Sequence, residues 1–446
     1  MTIRYQLHAD EEVAAYESAD NGAGPMWCHG SSIITRIDDR LFVAGLITNP
    51  NLKPLNNCHW SLHTRDVGNG AGNQNAWREV CRDDERTREP SPIAHAAGSL
   101  LISANETLKP PNEYAGPSRA QVYRIDPADL DRPPVPEHPK WTSTEQFTEH
   151  SYRAFASNGQ TGRTLLMHIQ HHAGTQMSLR HPDGSWQPLG QLKFPWGADY
   201  PTPESIRLCY ANVFLEGDAA HYFAVSDIIE PYPHWREAKF AITKQKWDYE
   251  FRRLFYTWTP NIADTPFQSW QEIASRDKTA GHTAHLDLHV DAAGITHLLW
   301  HENSLDARLR DEFFPGQPHT ASLHHATMKA GREISRKTIA LGDFDRHDDI
   351  PQYARLHIAA DGKLAVIATF IEKNNAARRA LRSLDLSDPA ATWQPIPGAP
   401  SPTGSFMHTT PRAGAAPHDT MAIAYTQTEG DHHAIRTMQL NRVTTD

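Results

Sequence analysis

The sequence predicts an all-β chain folded as one seven-bladed β-propeller over residues 1–446, and three observations predict it. A tight turn followed by an alternating apolar strand recurs through the whole length. The last repeat is one strand short, and the first residues of the chain are able to supply it. Helical periodicity is scarce.

The recurring segment reads DDRLFVAG at Asp39, AAGSLLIS at Gly98, QTGRTLLM at Gly162, GDAAHYFAV at Asp218, AAGITHLLW at Gly294, ADGKLAVIA at Gly362 and HDTMAIAY at Asp419. Successive turns lie 59, 64, 56, 76, 68 and 57 residues apart, somewhat longer than the usual four-stranded propeller unit. Turn dipeptides followed by period-2 alternation are hairpin chemistry, so each turn is expected to join the two inner strands of a blade. The last unit offers strands only near Phe406 to Arg412, Thr420 to Thr426 and Ala434 to Leu440, and Ile3 to Leu7 is expected to complete it. Joining the chain ends in one blade removes the exposed edges of the ring. The 32 prolines break most helical candidates, leaving short ones at Trp235 to Lys239 and Ala376 to Ser383. Pro-rich stretches from Pro110 to Pro117 and from Pro127 to Pro139 read as long loops between strands, the parts of a propeller that carry function.

Hydrophobic content of 39% with 12 Trp, 13 Tyr and 15 Phe supports a sizeable core. A formal net charge of −10 argues against nucleic acid and anionic membrane surfaces as partners. Any anionic substrate must therefore be held by local basic groups. Cys28, Cys58, Cys81 and Cys209 form no CxxC pair or disulfide framework. No signal-peptide or membrane-span pattern is present; the compartment and the oligomeric state are left open.

Candidate chemistry concentrates between Ile206 and Trp258, where Arg207, Tyr210, Tyr249, Arg252, Arg253 and Tyr256 stand on strand-like segments among Trp and Phe. This reads as one wall of a site for an acidic sugar. Arg207 and Tyr249 are kept as its principal groups, with Tyr210 and Arg252 as substrate contacts. Arg252, Arg253 and Tyr256 are also candidates for packing and inter-blade pairing. Histidine, 27 of 446 residues, is the outlier of the composition. Pairing about the Gly162 turn sets residues whose numbers sum to about 324 opposite one another. His150 and His171 sum to 321, so they are expected at the same end of one hairpin.

His285, Asp287 and His289 share a strand face and are metal-ligand types, but their spacing matches no known motif, and they read as hydrogen-bonded strand residues. His29, in WCHGSS, is a further candidate at the start of the first blade. No G-x-S-x-G elbow, P-loop, Rossmann fingerprint or H-E-x-x-H is present. Asp227 and Glu230 in SDIIEP come nearest to a glycosidase carboxylate pair.

WCHGSSI with NNCHWSLHTRD, EHSYRAF, RLCYANV, SDIIEP, WDYEFRRLFYTWTPNI, LRDEFFPG and FMHTTPRAG together resemble the seven-bladed propeller polysaccharide lyases, the ulvan lyases and enzymes acting on rhamnosyl-glucuronate ends. The resemblance implies β-elimination at a 4-linked uronic acid, with an anionic glycan as partner. It implies that His150 and His171 share base and acid work, that Arg207 neutralises the carboxylate and that Tyr249 assists. A further family tyrosine ahead of the arginine is matched here by Tyr200, which is expected as a substrate contact. Some members carry a structural zinc held by His and Cys. Cys209 lacks an obvious ligand set, so no cofactor is assigned, and a structural metal ion stays open. Relatives that release rhamnose from glucuronic acid imply a different reading, a hydrolase working through His29. A third reading is a propeller that binds acidic glycans without catalysis.

Overall fold

A computed structural model describes residues 2–68, 76–113, 115–171, 173–373 and 378–445. The described strands build seven antiparallel blades. The first blade runs outward from Ile34–Ile37 through Arg40–Thr48 and Cys58–Asp66 to Arg78–Arg82. The second grows from Ile93–Ala96, the third from Ala154–Asn158, the fourth from Leu208–Glu216, the fifth from His282–Val290 and the sixth from Ile350–Ile358. Each of the seven sequence turns joins the inner two strands of its blade, as expected. Gly98, Gly162, Gly294 and Gly362 hold φ between 70° and 79° there, a backbone that glycine adopts without steric cost.

The seventh blade runs from Met407–His408 through Thr420–Glu429 and His432–Thr445 to Thr2–Tyr16. The N-terminal strand thus closes the ring. It is longer than the Ile3 to Leu7 expected, pairing from Thr2 opposite Thr445 to Tyr16 opposite His433. Ile3 and Tyr5 bury against Ile367, Leu381 and Leu440, so the seam is part of the core.

Inner strands sit between neighbouring blades and are covered on both faces, so they read as near-continuous apolar runs. Leu41, Phe42 and Val43 of the first blade and Leu165 and Leu166 of the third are fully buried, each contributing roughly 1.5–3 kcal/mol relative to exposure. The helical expectation at Trp235 to Lys239 corresponds to a helix, Pro233–Thr243, inserted within the fourth blade. The one at Ala376 to Ser383 fails. Residues 374–377 lie outside the described set, and Arg379–Asp385 is a strand paired with Leu364–Ile371. Local helix propensity there gives way to a ladder with a distant partner.

Candidate functional site

Seven inner strands converge on the ring axis, so the residues just ahead of them meet on one face, opposite the seven hairpin turns. His29 precedes Ile34–Ile37, Glu89 precedes Ile93–Ala96, His150 and Tyr152 precede Ala154–Asn158, and Arg207 precedes Leu208–Glu216. The chain presses closely together here. A Cβ on Gly30 would lie 2.0 Å from the carbonyl oxygen of Tyr210, so glycine is required for the His29 segment to seat.

Tyr152 is the hub of the site. Its ring centroid lies 4.7 Å from that of Tyr210 and 5.5 Å from the His150 imidazole. The guanidinium of Arg207 lies 5.3 Å from the Tyr152 ring on one side and 5.0 Å from the Tyr249 ring on the other, within the range of cation–π attraction. Asp227 fixes the remaining edge: its carboxylate is 3.1 Å from Arg207 Nη2, and its carbonyl accepts from Arg207 Nε at 2.7 Å. On the far side Tyr210 meets His29 at 5.4 Å, edge to face, and its hydroxyl accepts from the Trp27 indole. Tyr152 and Tyr210 hold φ of 37° and 46°, a left-handed backbone that bulky residues keep only when their surroundings over-determine it.

The electrostatics follow from burial and from these partners. Burial, aided by Asp227, pushes the Tyr152 phenol far above its ordinary value. Burial does the same to Tyr210, with Glu89 adding to it. Both therefore stay protonated as donors. Burial together with the Arg355 guanidinium pushes His29 down to about 4, so its imidazole is neutral at physiological pH. Arg355 also donates to the His29 carbonyl at 2.7 Å. Burial opposes ionisation of Glu89, but contacts with His150, Arg153 and Ser151 outweigh it and hold the carboxyl below its ordinary value. That carboxylate lies 3.6 Å from His150 Nδ1, and Arg88 donates to the opposite ring nitrogen.

His29, His150, Arg207, Tyr210 and Tyr249 therefore share one continuous cluster. Three predicted residues lie outside it. The register of Ala154 opposite Met167 does bring His171 to the His150 end of its hairpin, but its largely exposed side chain pairs with Glu145 at the rim. Tyr200 is buried in the apolar cluster that holds Phe194, Ile206 and Leu208, and the Arg253 guanidinium sits 5.4 Å from its ring. Arg252 is 1% exposed and is taken up by Glu230 and Glu250 beside Lys239. The proposed substrate contact at Arg252 is corrected on that ground, because the side chain is closed off from solvent in the interior; the packing expectation describes it.

Sequence reasoning passed over Tyr152, Glu89 and Arg88. Only Tyr152 carried a signal, its place inside HSYR directly before a strand. His285 donates from Nε2 to the Tyr210 carbonyl at 2.7 Å, and Asp287 pairs with Arg412 at 2.6 Å, in keeping with hydrogen-bonded strand residues. Among the described residues no three His, Cys, Asp or Glu side chains converge as a metal-ligand set.

No family model matches the chain, and no curated protein matches it. Solved structures do align. A protein of unknown function from Dyadobacter fermentans is 10% identical, covering 98% of this chain and 99% of its own, with a TM-score of 0.45. The α-L-arabinofuranosidase Arb93A of Fusarium graminearum, bound to an iminosugar inhibitor, is 9% identical, covering 78% of this chain and 93% of its own, at 0.42. A putative exo-β-1,3-galactanase from Bifidobacterium bifidum is 11% identical, covering 73% and 96%, at 0.36. Such distant likenesses assign no chemistry to this chain.

Proposed function

We propose that the chain is an enzyme that cleaves a glycan at a 4-linked uronic acid by β-elimination on this face of the ring. The observation that carries the reading is the Arg207 guanidinium held between Tyr152 and Tyr249 with Asp227 at its edge. A planar fork fixed among aromatic rings suits a carboxylate. Abstraction of the C5 proton places charge on that carboxylate, and a preorganised cation there lowers the barrier. The C5–H electrons form the C4=C5 double bond, and the C4–O4 bond breaks with its electron pair on oxygen. A proton supplied to O4 completes the step.

His150, oriented by Glu89, is the proposed base, and Tyr249, 41% exposed, the proposed acid. Base work requires substrate to displace Arg88 from the His150 ring nitrogen. One observation favours a second reading: His29 stands edge-on to Tyr210 at 5.4 Å on the same face, where it is placed to serve hydrolytic release of rhamnose from glucuronic acid.

Incubation with ulvan, gum arabic and glucuronan separates the two readings. Elimination gives an ultraviolet-absorbing unsaturated product with no gain in mass, whereas hydrolysis adds one water. Elimination is expected to vanish in His150→Ala and to persist in His29→Ala. Folded protein that gives no absorbance change with any of the three substrates would sink the lyase reading.

A further inference from the structure

We infer that Arg88 is a latch on His150 operated by the substrate's own carboxylate: the guanidinium covers the base nitrogen in the free protein, and a free uronate, unlike its ester, draws it off. The inference rests on the reading of His150 as the base. It adds how that base is released and why an unesterified acid is required.

The chemistry of the two groups fixes which nitrogen is covered. Arg88 donates from Nη1 to His150 Nε2. A guanidinium has N–H donors and no acceptor, so Nε2 carries the lone pair and the ring proton sits on Nδ1, toward the Glu89 carboxylate at 3.6 Å. Nε2 is therefore the nitrogen able to take the C5 proton, and it is the one occupied. Glu89 is held in turn by the backbone N–H of Ser151 at 3.3 Å and by the Ser151 hydroxyl. When the C5 proton passes to Nε2, the imidazolium forms with its Nδ1–H beside that carboxylate.

Arg88 lacks the partner its burial calls for. It is 8% exposed, and a buried guanidinium is ordinarily paired with an acid. Arg207 has Asp227, Arg252 has Glu230 and Arg412 has Asp287. The partners of Arg88 among the described residues are neutral, the Asn21 carbonyl and the His150 ring. Arg153 and Arg355 also rest on carbonyls, but at 2% exposed they are sealed from any ligand. Arg88 instead touches a side chain that is 34% exposed, His150. Its contacts use one N–H on each nitrogen, so each terminal nitrogen keeps a second for a ligand.

The support behind the latch is fixed. The Asn21 carbonyl accepts from Arg88 Nε at 3.2 Å and from Nη2 at 2.9 Å. The Asn21 amide donates to the Leu55 carbonyl and the Asn57 side chain, each at 3.1 Å, and to the Arg88 carbonyl at 3.3 Å. Only the Nη1 contact has to break. A hydrogen bond to a carboxylate is roughly twice as strong as one between neutral groups, so exchanging the imidazole for a uronate oxygen is favourable. An ester carries no charge and offers no such exchange. Arg207 and His150 both neighbour the Tyr152 ring, at 5.3 and 5.5 Å. A uronate whose acid group lies against Arg207 thus brings that group and its C5 hydrogen toward His150 and the guanidinium covering it.

Ring-15N NMR of His150, assigned by its loss in His150→Gln, reads the latch without requiring turnover. Wild type is expected to show the Nδ1–H tautomer. D-glucuronate is expected to shift the Nε2 signal, and the methyl ester of D-glucuronate to leave it in place. Arg88→Met is expected to lose the response, whereas Arg88→Lys, which keeps a charged donor, retains part of it. In kinetics, the preference of Arg88→Met for glucuronan over its methyl-esterified form, taken as a ratio of kcat/KM, should fall about ten-fold or more, the worth of one hydrogen bond to a charged group. Thermal unfolding checks the fold of each variant; if Arg88→Met does not fold, Arg88→Lys and the wild-type titration still decide. An Nε2–H tautomer in wild type, equal shifts with acid and ester, no shift with glucuronate, or an undiminished response in Arg88→Met would each overturn the latch. The two proposals fail separately: a glucuronate response in wild type with no elimination of any uronate polymer sinks the lyase reading alone, and elimination with an unresponsive His150 sinks the latch alone.

Discussion

Arg207→Lys is the substitution that isolates the proposed carboxylate contact. Lysine keeps a positive charge beside Asp227, which is 3% exposed, so the buried acid retains a partner and the fold is spared. What is lost is the planar fork that Arg207 presents between Tyr152 and Tyr249 at 5.3 and 5.0 Å. A point-charge ammonium does not reproduce bidentate, stacked recognition. Removing one preorganised stabiliser of developing charge costs about 2.7–4 kcal/mol in the transition state, so kcat/KM should fall about 10²–10³-fold. Formation of the conjugated double bond, followed in the ultraviolet on glucuronan, reads this directly, with thermal unfolding as the control. Arg207→Ala behaves differently, because breaking its buried pair with Asp227 (3.1 Å) costs about 3–5 kcal/mol of stability. Lost activity in the alanine variant is therefore ambiguous where lost activity in the lysine variant is not. An Arg207→Lys enzyme within three-fold of wild type would show that no substrate carboxylate is held there.

Two further predictions concern stability. Burial holds His168, His285, His289, His301, His325 and His357 down to about 3 in the folded protein, against about 6.5 unfolded. Between those values the unfolded chain binds more protons, so stability is complete above about pH 6.5 and declines as pH falls, each group contributing up to about 1.4 kcal/mol per pH unit. Melting temperature should drop steeply between pH 6.5 and 4.5, and a flat profile over that window would contradict the burial of these rings. Lys239→Met leaves Glu230 and Glu250 with Arg252 as their remaining buried cation, and should cost about 3–5 kcal/mol; denaturant unfolding with an unchanged midpoint would show the network to be dispensable.

The ring was legible because its turns require particular residues. A glycine at φ near 70° followed by alternating apolar residues is a local demand, and it recurs whatever the rest of the chain does. The missing strand of the last blade was legible for the same reason, since strands are counted locally. The side chains of the site were legible only where position along the strand decided the outcome. Arg207 stands directly ahead of an inner strand, on the face opposite the hairpin turns. Arg252 has the same chemistry and similar aromatic neighbours, but Glu230 and Glu250, which it shares with Lys239 of the inserted helix, draw it into the interior.

Tyr152 shows the other limit. Nothing in its residue type separates it from the chain's other tyrosines. It becomes the hub because segments from the first, third and fourth blades converge on the axis and force its backbone to φ 37°. His171 shows that register is not contact: the hairpin places it beside His150 as its sequence position implies, yet its side chain turns outward to Glu145. Sequence spacing thus fixed which end of the blade each group occupies. Whether a group points to the axis depends on its partners, and those partners, Glu89 from the neighbouring blade for His150 and Asp227 from the adjoining strand of its own blade for Arg207, are what make this face chemically distinct in a chain that is acidic as a whole.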